Sequence, residues 1–500
     1  MTPVKDSAIR DSAPRVRNHP QLHGRQLGDL DELVRTTRTF AREKIRPRAL
    51  EIDRTADADP AYFAWDIAAA GGKLGLLNLI TPRASGGEVD SFCLRASLVA
   101  EEIAAGCGGM ATLFGAHALG LSPLIFGGPA FWDGLIKEVA NSAGSERPLI
   151  MAAAITEPTA GTDVEHHEHL RTAKLMSRAE RVKGGYKISG VKHFISNGNV
   201  ARWITVILAA DPTRPYETMM AFAVDSTSPG FSVTKVEHKM GQRGSPAAEL
   251  TFNDVFVPDH LVIGRPGDAT PAVQGVLAAS RPVVGGIGTG IARGAFERLV
   301  EWLGSGDRTA AGLLEKQQVQ LALAWMWEEI HLSRQAYLDA ATEFDLISVG
   351  KVLAHPLVRT AGHLPGVTRT NPLVKKQLES NFAKGALLQT IHRTVGDRAL
   401  TRTLGLSSMS KAHGADVAVA VCGLALEIAG LDCGRLRPEL EKCLRDAKLN
   451  QIYEGTNQLN RLETYDALVA GHEMKVLADA VRSHRKLKTG RRRGQKASQR

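Results

Sequence analysis

The five cysteines of this 500-residue chain (Cys93, Cys107, Cys422, Cys433, Cys443) form no CxxC pair and are odd in number. That usage excludes a disulfide framework and a thiolate metal knuckle, and predicts reduced, buried thiols in a cytoplasmic protein. Uninterrupted apolar runs stay short of the roughly 18 residues of a transmembrane helix. Residues 1 to 26 lack an apolar signal core, and Asp6 and Asp11 do not suit a transit peptide. GxSxG and Walker motifs are absent, and so is any internal repeat. What remains is an ordinary globular composition, 43% hydrophobic and 23% charged, long enough for several structural units.

An excess of charge is also missing from most of the chain. The net charge is +9, but residues 482–500 hold nine Lys or Arg and no Asp or Glu, which leaves 53 basic and 53 acidic residues elsewhere. This tail is too poor in apolar residues to pack, so a solvated segment is expected rather than a stable membrane or nucleic-acid interface.

Hydrophobic period divides the body. Leu33, Val34, Thr37, Phe40, Ala41 and Ile45 recur at helical spacing until Pro47, and 64–77 and 96–105 behave alike. Near Leu149 the period becomes two. Residues 204–208, 220–224, 231–236 and 250–252 read as strands, and Gly184-Gly185 supplies a hairpin turn within Arg181–Ile188. Long helical segments follow at 272–304, 315–345, 373–397 and 407–430. The expected organisation is α+β and mostly α: a flexible segment 1–28, an N-terminal helical domain 29–148, a middle β domain 149–266, a C-terminal helical bundle 267–481 and the basic disordered tail 482–500.

Two motifs have plainer explanations than their chemistry. Gly286-Ile287-Gly288-Thr289-Gly290 looks like a dinucleotide loop but falls inside a helical pattern without a βαβ unit, so close helix approach is expected. His166-His167-Glu168-His169 reads as a polar loop, because neighbouring histidines rarely converge on one ion; no metal is expected.

The stretch that carries chemistry runs from Arg445 to Asn457. A helix ends near Gln451, and a turn presents Glu454 and then Gly455, which tolerates unusual backbone angles. Thr456 or Asn457 can cap the next helix. A carboxylate on such a turn is either an ordinary loop residue or, when aimed into a cavity, a general base.

This stretch, Thr156-Glu157-Pro158-Thr159-Ala160-Gly161-Thr162-Asp163, Lys192-His193-Phe194-Ile195-Ser196-Asn197-Gly198, Met240–Ser245 and Arg281–Val284 occur in the order and spacing of the acyl-CoA dehydrogenase family. From about Leu30 to Ala480 the chain resembles that family. The resemblance implies a helical, β, helical subunit that holds FAD non-covalently. It assigns Ile155, Thr156, Phe194, Ile195 and Ser196 to the flavin ring, and Gly161 and Thr162 to the pyrophosphate. Thr456 and Gln458, at a helix start that favours negative charge, also touch FAD. Thr162, Arg281 and Gly455 line the acyl-CoA channel.

Glu454 then removes the α proton of an acyl thioester while hydride leaves the β carbon, and an electron-transfer flavoprotein takes the electrons. Other readings are a same-fold oxidase using oxygen, a flavin monooxygenase, and a non-catalytic member binding nucleic acid through its tail.

The family pattern fails in one half of the site. The R-x-x-F-G segment, which serves the neighbouring subunit's FAD, corresponds at best to Arg308-Thr309-Ala310-Ala311-Gly312. The Q-x-x-G-G-x-G segment reads Glu427-Ile428-Ala429-Gly430-Leu431-Asp432-Cys433. An unusual segment, about Thr342 to Pro372, lengthens the link between two helices. A homodimer or homotetramer is expected, or a hetero-oligomer with a related chain that supplies the missing half.

Overall fold

The computed structural model describes residues 25–81, 92–125, 127, 131–348, 397–430 and 438–470. The expected flexible start up to residue 24, most of the unusual 342–372 segment, the helix at 373–397 up to residue 396, Cys433 and the basic tail lie outside the described residues.

The first helix, α1 (Arg25–Phe40), buries Leu30, Val34, Thr37 and Phe40, which share one face at helical spacing. Pro47 does not stop the run as its sequence position suggests. The chain tightens through a π turn (Ala41–Ile45) and a 3-10 turn (Arg46–Arg48) and restarts as α2 (Ala49–Ala58). Pro47 lies in the first turn of a helical segment, where its missing N–H has no partner to lose. Helices α3 (Trp65–Lys73), α4 (Phe92–Gly106), α5 (Gly108–Ile125) and α6 (Lys137–Ser142) complete the N-terminal part. In length and composition α5 could cross a membrane, and so could Thr401–Gly430 further on, although neither run is free of interruption. Both are largely buried in the core, at 67% and 56% of their windows.

The β part begins with β1 (Met151–Ala154), the short helices α7 (Thr162–Glu165) and α8 (His167–Leu170), then β2 (Arg178–Val182), β3 (Gly185–Ser196) and β4 (Trp203–Ala209). After α9 (Pro215–Thr218) come β5 (Met219–Asp225), β6 (Phe231–Val236), β7 (Ala247–Pro258) and β8 (Val262–Ile263). The strand order is β6-β7-β3-β2-β4-β5-β8, with β1 parallel to β4. Pairing between β2 and β4 is confined to Arg178 and Ala209, so the sheet is two halves joined at one rung. The β2–β3 hairpin turns on Lys183 and Gly184, and of the two glycines only Gly184 has a positive φ; Gly185 is already in the strand.

The C-terminal part is α10 (Ala269–Leu303), α11 (Gln317–Glu343), α12 (Asp397–Gly430), α13 (Pro438–Asn450) and α14 (Asn457–Thr464). The glycine run lies in the middle of α10. A Cβ on Gly290 would overlap the Glu101 carbonyl oxygen of α4, and one on Gly288 would overlap the Gly414 carbonyl of α12. The glycines therefore let α10 pack against α4 and α12 at backbone distance. One core joins N- and C-terminal helices through Ile103, Leu113, Ile291, Leu299 and Val421. A second lies between the sheet and α5, α10 and neighbouring loops, through Leu124, Met151, Ile207 and Leu277. The candidate site opens where these two meet.

Candidate active site

The turn between α13 and α14 is built against its own backbone preference. Glu454 has φ 56° and Gly455 φ 77°. For a glutamate this left-handed conformation is uncommon and persists only where the surroundings over-determine it. They do here. Asn460 Nδ2 donates to the carbonyls of Glu454, Gly455 and Thr456 at 3.3, 2.9 and 3.0 Å. Lys411 Nζ of α12 donates to the Gly455 carbonyl at 2.6 Å and to Asn457 Oδ1 at 3.0 Å. Arg281 Nε of α10 donates to the Glu454 carbonyl at 3.4 Å, and Thr456 caps α14 by accepting from Leu459 N–H at 3.2 Å. Ser280 Oγ donates to Glu454 Oε1 and fixes the carboxylate itself.

Glu454 faces a large cavity whose wall also holds Ile155, Thr156, Phe194, Ile195 and Ser196. These residues come from the loop after β1 and from the end of β3, which a buried ion pair ties together. Lys192 Nζ donates to Glu157 Oε1 at 2.9 Å and to the Ile155 carbonyl at 2.8 Å, and His193 N–H donates to the Thr156 carbonyl at 2.9 Å. Two residues later the β3–β7 register slips: Lys192 pairs Leu250, but Ile195 pairs Ala248. This one-residue bulge turns Phe194 out of the sheet at φ 59° and leaves it 59% exposed on the cavity wall. A bulky aromatic strained and exposed inside a cavity is explained by a flat partner that covers it. The far wall is hydrocarbon, with Ile80, Phe92, Val99, Ile103, Phe114 and Leu119.

Two further motifs support the turn from behind. Gln242 N–H donates to Asp446 Oδ1, and Gln242 Nε2 donates to the Asp446 carbonyl at 2.8 Å. Arg445 Nη1 donates to the Met240 carbonyl at 2.9 Å, and Nη2 to Asp53 at 2.7 Å. The sequence motifs at 240–245 and 445–448 are thus one contact, which locks α13 to the β part.

The charges around the turn are only partly visible in sequence. Arg281 is fully buried beneath it, with Nη1 donating to Glu463 and, at 2.8 Å, to Ser408, and with Nη2 3.8 Å from Glu165. Burial drives the Glu165 carboxyl up to about 8, reinforced by the charge of Glu454 and opposed by Arg281. Burial pulls the Lys411 ammonium down to about 7. Glu165, Ser280, Lys411, Asn460 and Glu463 were not singled out by motif. The available signal was a charged residue inside an apolar helical run, which Lys411 shows and Glu165 does not.

Other candidate residues sit around this centre. Thr162 begins α7, half-buried, next to Gly161, whose open side meets only the Thr156 methyl at 3.6 Å. Gly455 is buried under the turn and Gln458 is exposed on the first turn of α14. Arg308 is exposed on a 3-10 turn and does not line the cavity, and Glu427 is exposed near the end of α12.

Three sequence-family models match in chain order: the acyl-CoA dehydrogenase N-terminal domain over 28–130, the middle domain over 152–255, and the C-terminal domain over 270–354 and 372–468. The break between 354 and 372 falls in the segment the sequence marks as unusual. The chain is 31% identical to cyclohex-1-ene-1-carbonyl-CoA dehydrogenase of Geobacter metallireducens over 86% of its own length and 96% of the relative's. It is 29% identical to cyclohexane-1-carbonyl-CoA dehydrogenase of the same organism, over 86% and 94%. In fold it resembles butyryl-CoA dehydrogenase from Megasphaera elsdenii, with a TM-score of 0.67 at 24% identity, covering 88% of this chain and 98% of the other. The chain belongs to the acyl-CoA dehydrogenase family. It is an oxidoreductase acting on a CH–CH bond, in a family whose members use FAD. The residues present fit the ring end of that cofactor, with an exposed aromatic face at Phe194 and the Thr156 and Ser196 hydroxyls on the same wall, and the open glycine at 161 leaves room for its pyrophosphate.

Proposed function

We propose that this enzyme dehydrogenates the α,β bond of an acyl-CoA thioester with Glu454 as base, holds FAD against Phe194, and passes electrons to an electron-transfer flavoprotein. The observation that carries this is the conformation of Glu454. A carboxylate kept at positive φ by three separate helices, and bonded by Ser280, is aimed at the same cavity as Phe194, Thr156 and Ser196. An isolated α C–H is too weak an acid for a carboxylate. The thioester oxygen therefore has to be met by donors as enolate charge develops, and the Glu454 backbone N–H is the protein's donor in this reading. Bound FAD would supply the acceptor for hydride from the β carbon. Thr156 and Ser196 orient the ring, the bulged Phe194 covers it, and the hydrocarbon wall excludes water.

The acyl group in this reading is a hydrocarbon. The ionisable carboxyl groups on the cavity wall (Asp268, Glu165, Glu454) face no Lys or Arg among the residues that line it, which disfavours an acyl group ending in a carboxylate. Alicyclic carbonyl-CoA thioesters are the first substrates to try, since the relatives above are named for them. Cytoplasmic location is part of the same proposal, supported by four buried, unpaired cysteines among the described residues.

Glu454→Gln tests the base. The variant should keep its flavin spectrum and lose thioester-dependent flavin reduction by about 10²–10⁴-fold or more, since Gln keeps the shape and removes the proton acceptor. Reduction within a few-fold of wild type would place the base elsewhere.

A further inference from the structure

A second carboxyl shares this cavity, and the reaction above does not use it. Glu165 ends the short helix α7 and lies on the cavity wall with Glu454. Its Oε2 is buried without a hydrogen-bond partner. That oxygen would lie 2.9 Å from a Cβ placed on Gly455, so it sits directly against the catalytic turn. The nearest cation cannot fully neutralise it. Arg281 Nη2 stands 3.8 Å away and makes no hydrogen bond, while Nη1 is committed to Glu463 and Ser408 and Nε to the Glu454 carbonyl.

We propose that Glu165 is a positioning residue for proton abstraction: uncharged, it adds no negative charge against the Glu454–Gly455 backbone, and charged, it opposes the enolate. The proposal rests on Glu454 being the base. When the α proton leaves, negative charge grows on the thioester oxygen beside the Glu454–Gly455 backbone. A carboxylate against that turn acts on it through a low-dielectric, water-poor medium, where like charges repel strongly.

The groups that face Glu165 set when it ionises. Glu454 comes from the turn, Arg281 from α10, Glu463 from α14 and Lys411 from α12. The two anions and burial keep the carboxyl protonated to about pH 8, and the two cations oppose them. The sign follows. At neutral pH the acid form dominates and abstraction is fast; above about pH 8 the anion forms and abstraction slows. Lys411 titrates nearby, at about 7, so its own contribution has to be separated.

Proton abstraction can be read without redox chemistry from exchange of the α protons of acetyl-CoA with D₂O on the FAD-loaded protein, because acetyl-CoA has no β carbon to give hydride. In wild type the exchange rate should fall by up to about thirtyfold between pH 7 and pH 9.5 as one group with a pKa of about 8 ionises. In Glu165→Gln the ratio of the two rates should stay within about twofold, and in Lys411→Met the fall above pH 8 should persist. An unchanged fall in Glu165→Gln, or its disappearance in Lys411→Met alone, would overturn the proposal. If Glu165→Gln fails to fold, infrared difference spectra of the wild type decide. A protonated carboxyl band lost with a midpoint near pH 8 is expected, separate from that of Asp345 near pH 7, and a spectrum with only the Asp345 band contradicts it. Loss of all exchange in wild type, with Glu454→Gln no slower, is a different result and points to failure of the base assignment.

Discussion

His117 shows how a single buried side chain gives the fold a pH response. It lies in α5 with its Nε2 3.1 Å from the Leu77 carbonyl, and its Nδ1 accepts from Met151 N–H at 3.2 Å. The ring therefore donates at one nitrogen and accepts at the other, which only the neutral form can do. Burial, partly opposed by the Leu77 carbonyl, lowers its pKa to about 4 from 6.5. Between those values the unfolded chain binds the proton and the folded one does not, so stability is complete above pH 6.5 and falls as pH drops towards 4. The contribution is about 3 kcal/mol over that window. Asp345, pushed up to about 7 by burial, works in the opposite sense, so the test is a difference. Denaturant unfolding of wild type and His117→Gln at pH 7 and pH 4.5 should show a smaller acid loss in the variant, because Gln can donate and accept without titrating.

At the level of elements, α10 is shaped by what it must approach. An exposed glycine in a helix gains roughly 1 kcal/mol on replacement by alanine. Gly290 should do the reverse. Its Cβ would overlap the Glu101 carbonyl and lie 2.7 Å from the Ala104 methyl, and both neighbours are in a buried helix that cannot shift cheaply. Gly290→Ala is expected to lose about 1–3 kcal/mol, read as a lower thermal midpoint. Gly423, on α12, is the control, since a Cβ there meets nothing within 4 Å and alanine should be neutral or stabilising. The segments at 156–163 and 192–198 show the same logic, because neither is a ligand site alone. The Glu157–Lys192 pair and the bulge at 193–194 make them one wall.

For the whole molecule the unequal halves of the cofactor site matter most. The residues proposed for the ring end line one cavity within a single chain. The residues matching the family's adenosine contacts are Arg308, exposed on a surface turn, an alanine at 311 in place of an aromatic, and Glu427 in place of Gln. A carboxylate is a poor neighbour for a pyrophosphate. Expressed alone, the chain is therefore expected to carry less than one FAD per subunit, and to gain FAD when a related chain supplies the other half. Native mass spectrometry reads the subunit count and flavin content together. A homo-oligomer with one tightly bound FAD per chain would remove the need for a partner.

Much of this was legible in the sequence because it depends on local chemistry. Apolar period separates helical from β segments, and a Gly after Glu454 marks a turn. The motifs at 156–163, 192–198, 240–245 and 445–457 are legible through their resemblance to the acyl-CoA dehydrogenase family, and the structure adds the contacts that join them. Proline at 47 misled, because its effect depends on whether a new helix starts there. The apolar helices α5 and Thr401–Gly430 contain no unbroken apolar run of spanning length, since an occasional polar residue is tolerated once partners bury it. What only the tertiary structure decided is which charges meet. Glu165, Arg281, Lys411, Glu454 and Glu463 come from five separate segments, and no motif relates Glu165, Lys411 or Glu463 to the other two. Packing brings them around one turn, and the loss of water there sets which are charged.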